Sequence, residues 1–331
     1  MTRATAFRAM AAILTAAPLT AQPESREDSR AGFRFALSVN AVHLAVTVSN
    51  KKGRLVTNLK EEDFRILEDG VPQEIRFFSR SVDSPVDVLL LVDASGSMEM
   101  VSKVVNARSA AAQLIHSLAP EDRVALYAFD RNLIQLTPFS ANKSEATQAL
   151  AALDPFGSTA LYDSVAKAAA AIAHEGFGRR AIVVITDGVD TSSRLSLEEA
   201  VEAAKGVDLP VYIIRVVSSL DDPSSDSFLH VHGHGATGPD ALDRFASETG
   251  GRLYQGSQLG PLRLASMRIW KELKTQYRLA YVPRNSNNDG SFRRIVVKTR
   301  RRGTEARTRT GYFARKHRSS LGGSPNLTPQ H

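Results

Sequence analysis

The sequence predicts an α/β fold in which a doubly wound, mostly parallel sheet is inserted between the N- and C-terminal pieces of a small β-sandwich. Three observations carry this reading. The middle of the chain alternates continuous Val/Ile/Leu runs with helical stretches, the pattern of a parallel sheet covered on both faces. The two ends alternate apolar and polar residues, as half-buried strands do. The length, 331 residues, exceeds what one core usually holds.

The first residues address compartment. Arg3 and Arg8 precede "AMAAILTAAPLTA", which is too short to span a bilayer as a mature helix, and "QPESREDSR" then turns polar. This predicts a secretory signal peptide over residues 1–21, cut near Ala21. Its removal takes Arg3 and Arg8 with it, so the formal charge falls from +7 to +5. No later run reaches about 18 apolar residues, so no transmembrane segment is expected after signal removal. The chain has no cysteine, which excludes disulfides, thiolate metal sites and cysteine nucleophiles together.

Residues 33–82 read as an N-terminal β-strand segment. "FRFALSVNAVHLAVTVSN" alternates, "KKGRLVTNL" contains a turn, and "FRILEDGVPQEIRFFSR" predicts two short strands around Asp69-Gly70. Some 50 residues of strand have too little core to stand alone. The partner is the segment 277–314, where "YRLAYVP" and "FRRIVVKTRRR" are joined by the turn-rich "RNSNNDGS" and "ARTRTGYFAR" adds one more strand. Between them, 86–272 carries the strands "VDVLLLVD", "RVALYAF", "AIVVITD" and "PVYIIRVV" with helices over 99–118, 159–174, 196–206 and 240–249. A polar, glycine-rich insert (218–239) and a disordered tail (317–331) stay outside this scheme.

In a doubly wound sheet, ligands bind beyond the carboxyl ends of the strands. Three segments deliver oxygen there: "DASGS" supplies Asp93, Ser95 and Ser97, "FGSTALYD" supplies Ser158 and Thr159 at a helix start, and "VVITDGVD" supplies Asp187 at a strand end. Carboxylates and hydroxyls without histidine or sulfur are the inventory of a hard divalent cation. A nucleotide is disfavoured, because the lysine of a G-K-[ST] phosphate loop is missing. The helix predicted to start near Met98 also points its positive end at the loop, which Asp93 and Asp187 must overcome.

The D-x-S-x-S of Asp93, Ser95 and Ser97, the threonine of "GSTALYD" and the aspartate of "TDGVD" together resemble the metal-ion-dependent adhesion site of the von Willebrand factor type A family. The resemblance covers 86 to roughly 272. The flanks are similar to a group of exported bacterial proteins related to that family and frequent in acidobacteria. The resemblance implies that Asp93, Ser95, Ser97, Thr159 and Asp187 form a metal site, with Mg2+ leading and Mn2+ or Ca2+ as alternatives. A protein partner's Asp or Glu would complete the coordination. It also implies coupling between the site and the C-terminal helix at 259–276.

Other features read as follows. Asp190 is a helix cap or turn residue. His230, His232 and His234 lie in the glycine-rich insert, without an acidic or sulfur partner in sequence. The basic run over 293–318 is either a set of soluble strand faces or a surface for an anionic envelope component; nucleic acid is disfavoured for an exported chain. The expectation is a secreted or periplasmic, non-enzymatic, metal-dependent binding or adhesion module. The alternatives are an envelope scaffold binding without metal and a metal-assisted hydrolase. The hydrolase lacks a general base, since His116 and His174 sit at far helix ends.

Overall fold

The computed structural model describes residues 41–80, 84–99, 101–155, 157–173, 179–217, 230–231 and 241–314. The expected signal peptide, the tail, and most of the 218–239 insert, with His232 and His234, lie outside them. The described residues begin with strands β1 (Val42–Asn50), β2 (Phe64–Glu68), β3 (Val71–Gln73) and β4 (Ile75–Ser79). Asp69 and Gly70 have φ of 48° and 83°, the pair of positive values that a two-residue turn between right-twisted strands requires. The expected pair of strands around this turn is followed by a third, β4, which crosses to the other sheet. Its β2-β3 neighbours are short and its five residues are half-buried or exposed, so local pattern did not reveal it.

The α/β part follows as β5 (Val86–Asp93), α1 (Val101–Ser117), β6 (Arg123–Phe129), β7 (Leu133–Ser140), α2 (Lys143–Ala151), α3 (Leu161–Ala173), β8 (Arg179–Thr186), α4 (Leu197–Gly206), β9 (Val211–Val216), β10 (His230–Val231), α5 (Ala241–Thr249), β11 (Leu253–Gly256) and α6 (Leu259–Thr275). The helix expected near Met98 starts later, at Val101, after a 3-10 turn over Gly96–Met98. Strand β5 is buried at all eight positions and pairs in parallel with β6 on one side and β8 on the other. The sheet order is β10-β11-β9-β8-β5-β6-β7, parallel except for its two antiparallel edges. Val86, Val88, Leu90 and Val92 face a core built with α1, α2 and α6, whereas Leu89 and Leu91 face α3, α4 and α5. Burying both faces of β5 explains why its sequence is apolar without alternation.

Strands β12 (Tyr277–Tyr281), β13 (Phe292–Thr299), β14 (Thr304–Arg307) and β15 (Gly311–Phe313) complete the described residues. The last two come from the stretch expected to give one strand. They join the N-terminal strands in two antiparallel sheets, β14-β1-β12-β4 and β15-β13-β2-β3. Each sheet mixes both ends of the chain, and their inner faces share one core around Val46, Ile66 and Tyr277.

The sandwich is fastened to the α/β part by one ion pair out of water and a second at its edge, where Asp208 is partly exposed. Arg307 pairs with Glu272 of α6. Arg309 pairs with Asp208 and also donates to the carbonyls of Lys205 and His43. Three members of the basic run, Arg293, Arg307 and Arg309, are therefore turned inward, while Arg294, Lys298, Arg300, Arg301 and Arg302 stay exposed.

Tyr277 sits fully buried between the halves of the sandwich. Its hydroxyl accepts from the Leu59 N–H at 2.9 Å and donates to the Val56 carbonyl at 2.9 Å. Its ring meets Phe64 edge-on at 5.0 Å. Tyr277→Phe strands one buried N–H and one carbonyl. It is expected to cost about 1–3 kcal/mol, measured as a lower denaturation midpoint at an unchanged slope.

Candidate metal centre

Strand β5 ends at Asp93 in the middle of the parallel sheet, and its carboxyl end opens into three loops. Asp93 is 1% exposed. Its Oδ1 accepts from the Ser95 N–H at 2.9 Å and the Ser95 hydroxyl at 2.5 Å, and its Oδ2 accepts from the Thr186 hydroxyl at 2.5 Å. The Ser95 and Ser97 hydroxyls lie 3.1 Å apart. Ser95 is buried, and Ser97 is exposed at the mouth. Alternate positions of the loop thus lead from the interior to the surface.

The second loop is stitched to the first by the Gly96 N–H, which donates to the Gly157 carbonyl at 2.8 Å. Gly157 has φ of 89°, a conformation side chains other than glycine resist. Thr159 follows, buried, with its N–H donating to the Thr191 hydroxyl and its carbonyl accepting from the Thr191 and Ser192 N–H groups. Asp190 acts as a cap, as expected: its Oδ1 accepts from the Leu161 N–H at the start of α3 and from the Ser193 hydroxyl. The third loop turns at Gly188, where φ is 88° and a Cβ would fall 2.5 Å from the Leu242 side chain.

Asp187 is 4% exposed and directly follows Thr186, the residue that holds Asp93. Its Oδ2 accepts from the Lys103 ammonium at 3.0 Å. That ammonium also lies 3.5 Å from the Ser97 carbonyl. Sequence reasoning missed both Lys103 and Thr186. A lysine in the first turn of α1, against the helix dipole, was the available signal for the first; nothing in "VVITD" distinguished the second.

Burial pushes the Asp93 carboxyl up to about 6, with the Asp187 charge adding to it, against hydrogen bonds from Ser95 and Thr186. Among the described residues, the hydrogen bonds that Asp93 accepts come from the neutral donors of Ser95 and Thr186. Asp93, Ser95 and Ser97 at the end of β5 are joined by Asp187, just past the end of β8, in a group of carboxylate and hydroxyl oxygens of the kind that could hold a hard cation; Thr159 is placed in the second loop by its backbone hydrogen bonds. Among the described residues, no three His, Cys, Asp or Glu side chains come together as a metal site. His116 lies in the last turn of α1, about 20 Å along the helix from Lys103 at 1.5 Å per residue.

Residues 88–189 match the family model of the von Willebrand factor type A domain. No curated protein matches the chain. A von Willebrand factor type A structure from Catenulispora acidiphila is similar at 13% identity and TM-score 0.49, over 82% of this chain and 73% of that one. The conserved hypothetical protein BatB from Bacteroides thetaiotaomicron is similar at 20% identity and TM-score 0.45, over 57% and 99%. The manganese-loaded TRAP protein of Plasmodium vivax is similar at 14% identity and TM-score 0.43, over 74% and 97%.

The raised pKa of Asp93 has a definite sign in the cation-free protein. The folded state keeps the proton to higher pH than the unfolded chain, so this contribution is present below the unfolded value of about 4 and is lost as pH rises through about 6. Asp93→Asn mimics the protonated form. Relative to the natural chain, it is expected to gain about 2–3 kcal/mol in stability between about pH 4 and pH 7, measured by denaturation in EDTA.

Proposed function

We propose, from the premise that the centre of this chain is a von Willebrand factor type A domain, that the protein is an exported binding module. It engages a protein partner through a divalent cation at Asp93, Ser95, Ser97, Thr159 and Asp187. The domain type supports adhesion or protein binding as the broad class of function, and domains of this type commonly bind a divalent cation. The observation that carries the finer reading is Asp93, a carboxylate 1% exposed whose hydrogen bonds among the described residues come from hydroxyl and amide donors. Keeping a charge there is costly unless something positive arrives.

The roles follow from the chemistry of each group. Ser95, Ser97 and Thr159 would offer hydroxyl oxygens to the ion. Asp93 and Asp187 would supply the negative charge, directly or through water. With only two carboxylates in the set, a divalent ion keeps positive charge and leaves room for a carboxylate from outside, which makes an Asp or Glu of the partner the expected complement. Exposed Ser97 marks the side from which it would come. The hydroxyl-rich set favours Mg2+, with Mn2+ and Ca2+ as alternatives.

A non-catalytic role fits the absence of a histidine near the site among the side chains described: His43 lies in the sandwich and His116 at the far end of α1. No helix among the described residues is long and apolar enough to cross a membrane, and we place the protein in the periplasm, the envelope or outside the cell. There Arg294, Lys298, Arg300, Arg301 and Arg302, exposed on one segment, form a secondary surface for anionic envelope components.

Calorimetric titration of Mg2+, Mn2+ and Ca2+ into the full chain tests the site. The natural sequence is expected to bind at least one of them, and Ser97→Ala and Asp187→Ala to weaken binding by on the order of tenfold or more. No binding at millimolar concentration would overturn the metal reading and leave a scaffold that binds without metal.

A further inference from the structure

We infer that Lys103 is a built-in competitor for this cation site, a tethered monovalent charge that any divalent ion must displace from Asp187. The inference rests on the metal reading above and adds what sets the site's affinity. Nothing in the five-residue motif calls for a lysine here.

Its position runs against two ordinary preferences. Lys103 is the third residue of α1, and the start of a helix disfavours a positive charge. Its side chain is only 11% exposed, although a lysine stem long enough to reach water normally leaves the ammonium solvated. It points into the group of oxygens proposed to receive a cation, 3.0 Å from Asp187 Oδ2 and 3.5 Å from the Ser97 carbonyl. The Asp187 carboxylate, itself 3% exposed, offsets these costs. Each member of such a buried pair would be expensive to leave alone.

The consequence for a second cation follows from charge and distance. A divalent ion held by Asp187 and Ser97 would lie within a few ångströms of the ammonium, and the repulsion between them is screened little in a site this dry. Asp187 cannot serve both at full strength. The lysine is the member that yields, because its four-carbon stem rises from the first turn of α1 and can swing to the surface without moving the helix. With the ion absent, Lys103 neutralises Asp187 and keeps the loops closed. With the ion present, the ammonium is expelled toward the mouth, where exposed Ser97 lies. An acidic partner then meets two positive groups in place of one. Lys103 thereby makes the site weaker toward metal and more selective for carboxylate than the five ligands alone would be.

The test compares the full natural chain with Lys103→Met, Lys103→Gln and Lys103→Arg, with Mg2+ and Mn2+ as the probes. Lys103→Met and Lys103→Gln are expected to bind on the order of tenfold more tightly by calorimetry, and Lys103→Arg, which keeps the charge, no more tightly than the natural chain. In EDTA the Met and Gln variants should melt at lower temperature, because Asp187 has lost its cation. Added Mg2+ should raise their melting temperature by more than it raises that of the natural chain. Equal or weaker metal binding by both neutral variants, with the natural chain binding, overturns the competitor and leaves the metal site standing. Tighter binding by Lys103→Arg as well assigns the effect to packing and also overturns it. Binding by none of the four chains overturns the metal site and the competitor together. Using two neutral substitutions keeps the answer available if one of them fails to fold.

Discussion

The pairing of β1 with β12 is the contact on which the rest of this molecule depends. Val42 to Val46 lie opposite Tyr281 to Tyr277, antiparallel and in register, so strands from the two ends of the chain form the middle of one sheet. The entropic cost of closing so long a loop rises only slowly with length, but nothing local repays it. The repayment comes from a core that neither end could build alone. Once closed, β12 fixes where α6 must end, because Thr275 is separated from Tyr277 by a single residue. The linkage also explains the ion pairs of Arg307 and Arg309. They lie where the returning strands meet the α/β part, and they lock the angle between the two.

The same topology decides where a ligand can act. The sandwich occupies the end of the α/β part where β8 begins, near Arg179, whose guanidinium donates to the carbonyls of Leu273, Lys274 and Gln276. The opposite end, where β5 and β8 stop at Asp93 and Thr186, is left to loops. A parallel sheet gathers the carboxyl ends of its strands there, so residues distant in sequence reach one place without special pleading. The cost is visible at Asp93. A side chain at the end of a fully buried strand carries a charge that burial opposes, and the neighbouring hydroxyls of Ser95 and Thr186 offset only part of it. Retaining such a group at a strand end is intelligible if a cation completes it, and hard to explain as packing alone.

Much of this could be read from residue order, for reasons that are physical. Unbroken Val/Ile/Leu runs identify strands buried on both faces, and β5, β6, β8 and β9 lie where those runs are. Asp69-Gly70 specifies its turn by backbone conformation alone. Elements with weaker patterns were not anticipated. Strand β7, at the edge, is fully buried at one position alone, and α2 is a short helix with two buried residues. Arg307 and Arg309 were read as part of a surface run because their partners, Glu272 and Asp208, are distant in sequence and become neighbours only after closure. Lys103 escaped for the same reason. Its meaning depends on Asp187, and the two meet only because β5 and β8 are adjacent in the sheet.

Lys103 also bears on whether the site and the sandwich can communicate. The helix it starts, α1, packs along α6: the Asn106 side chain donates to the Ser257 carbonyl at 2.7 Å, and the Ser266 hydroxyl donates to the Ala110 carbonyl at 2.8 Å. At its far end, α6 is held by Arg179, by Lys274 on Asp122 at 2.7 Å, and by Glu272 on Arg307. Sliding α6 along its axis would have to break these buried pairs or carry β12 with it, and β12 is central in its sheet. Expelling a lysine from the first turn of α1 demands far less. The fold therefore favours a site whose two charge states differ by one side chain, with α6 and the sandwich serving as the fixed frame against which that side chain moves.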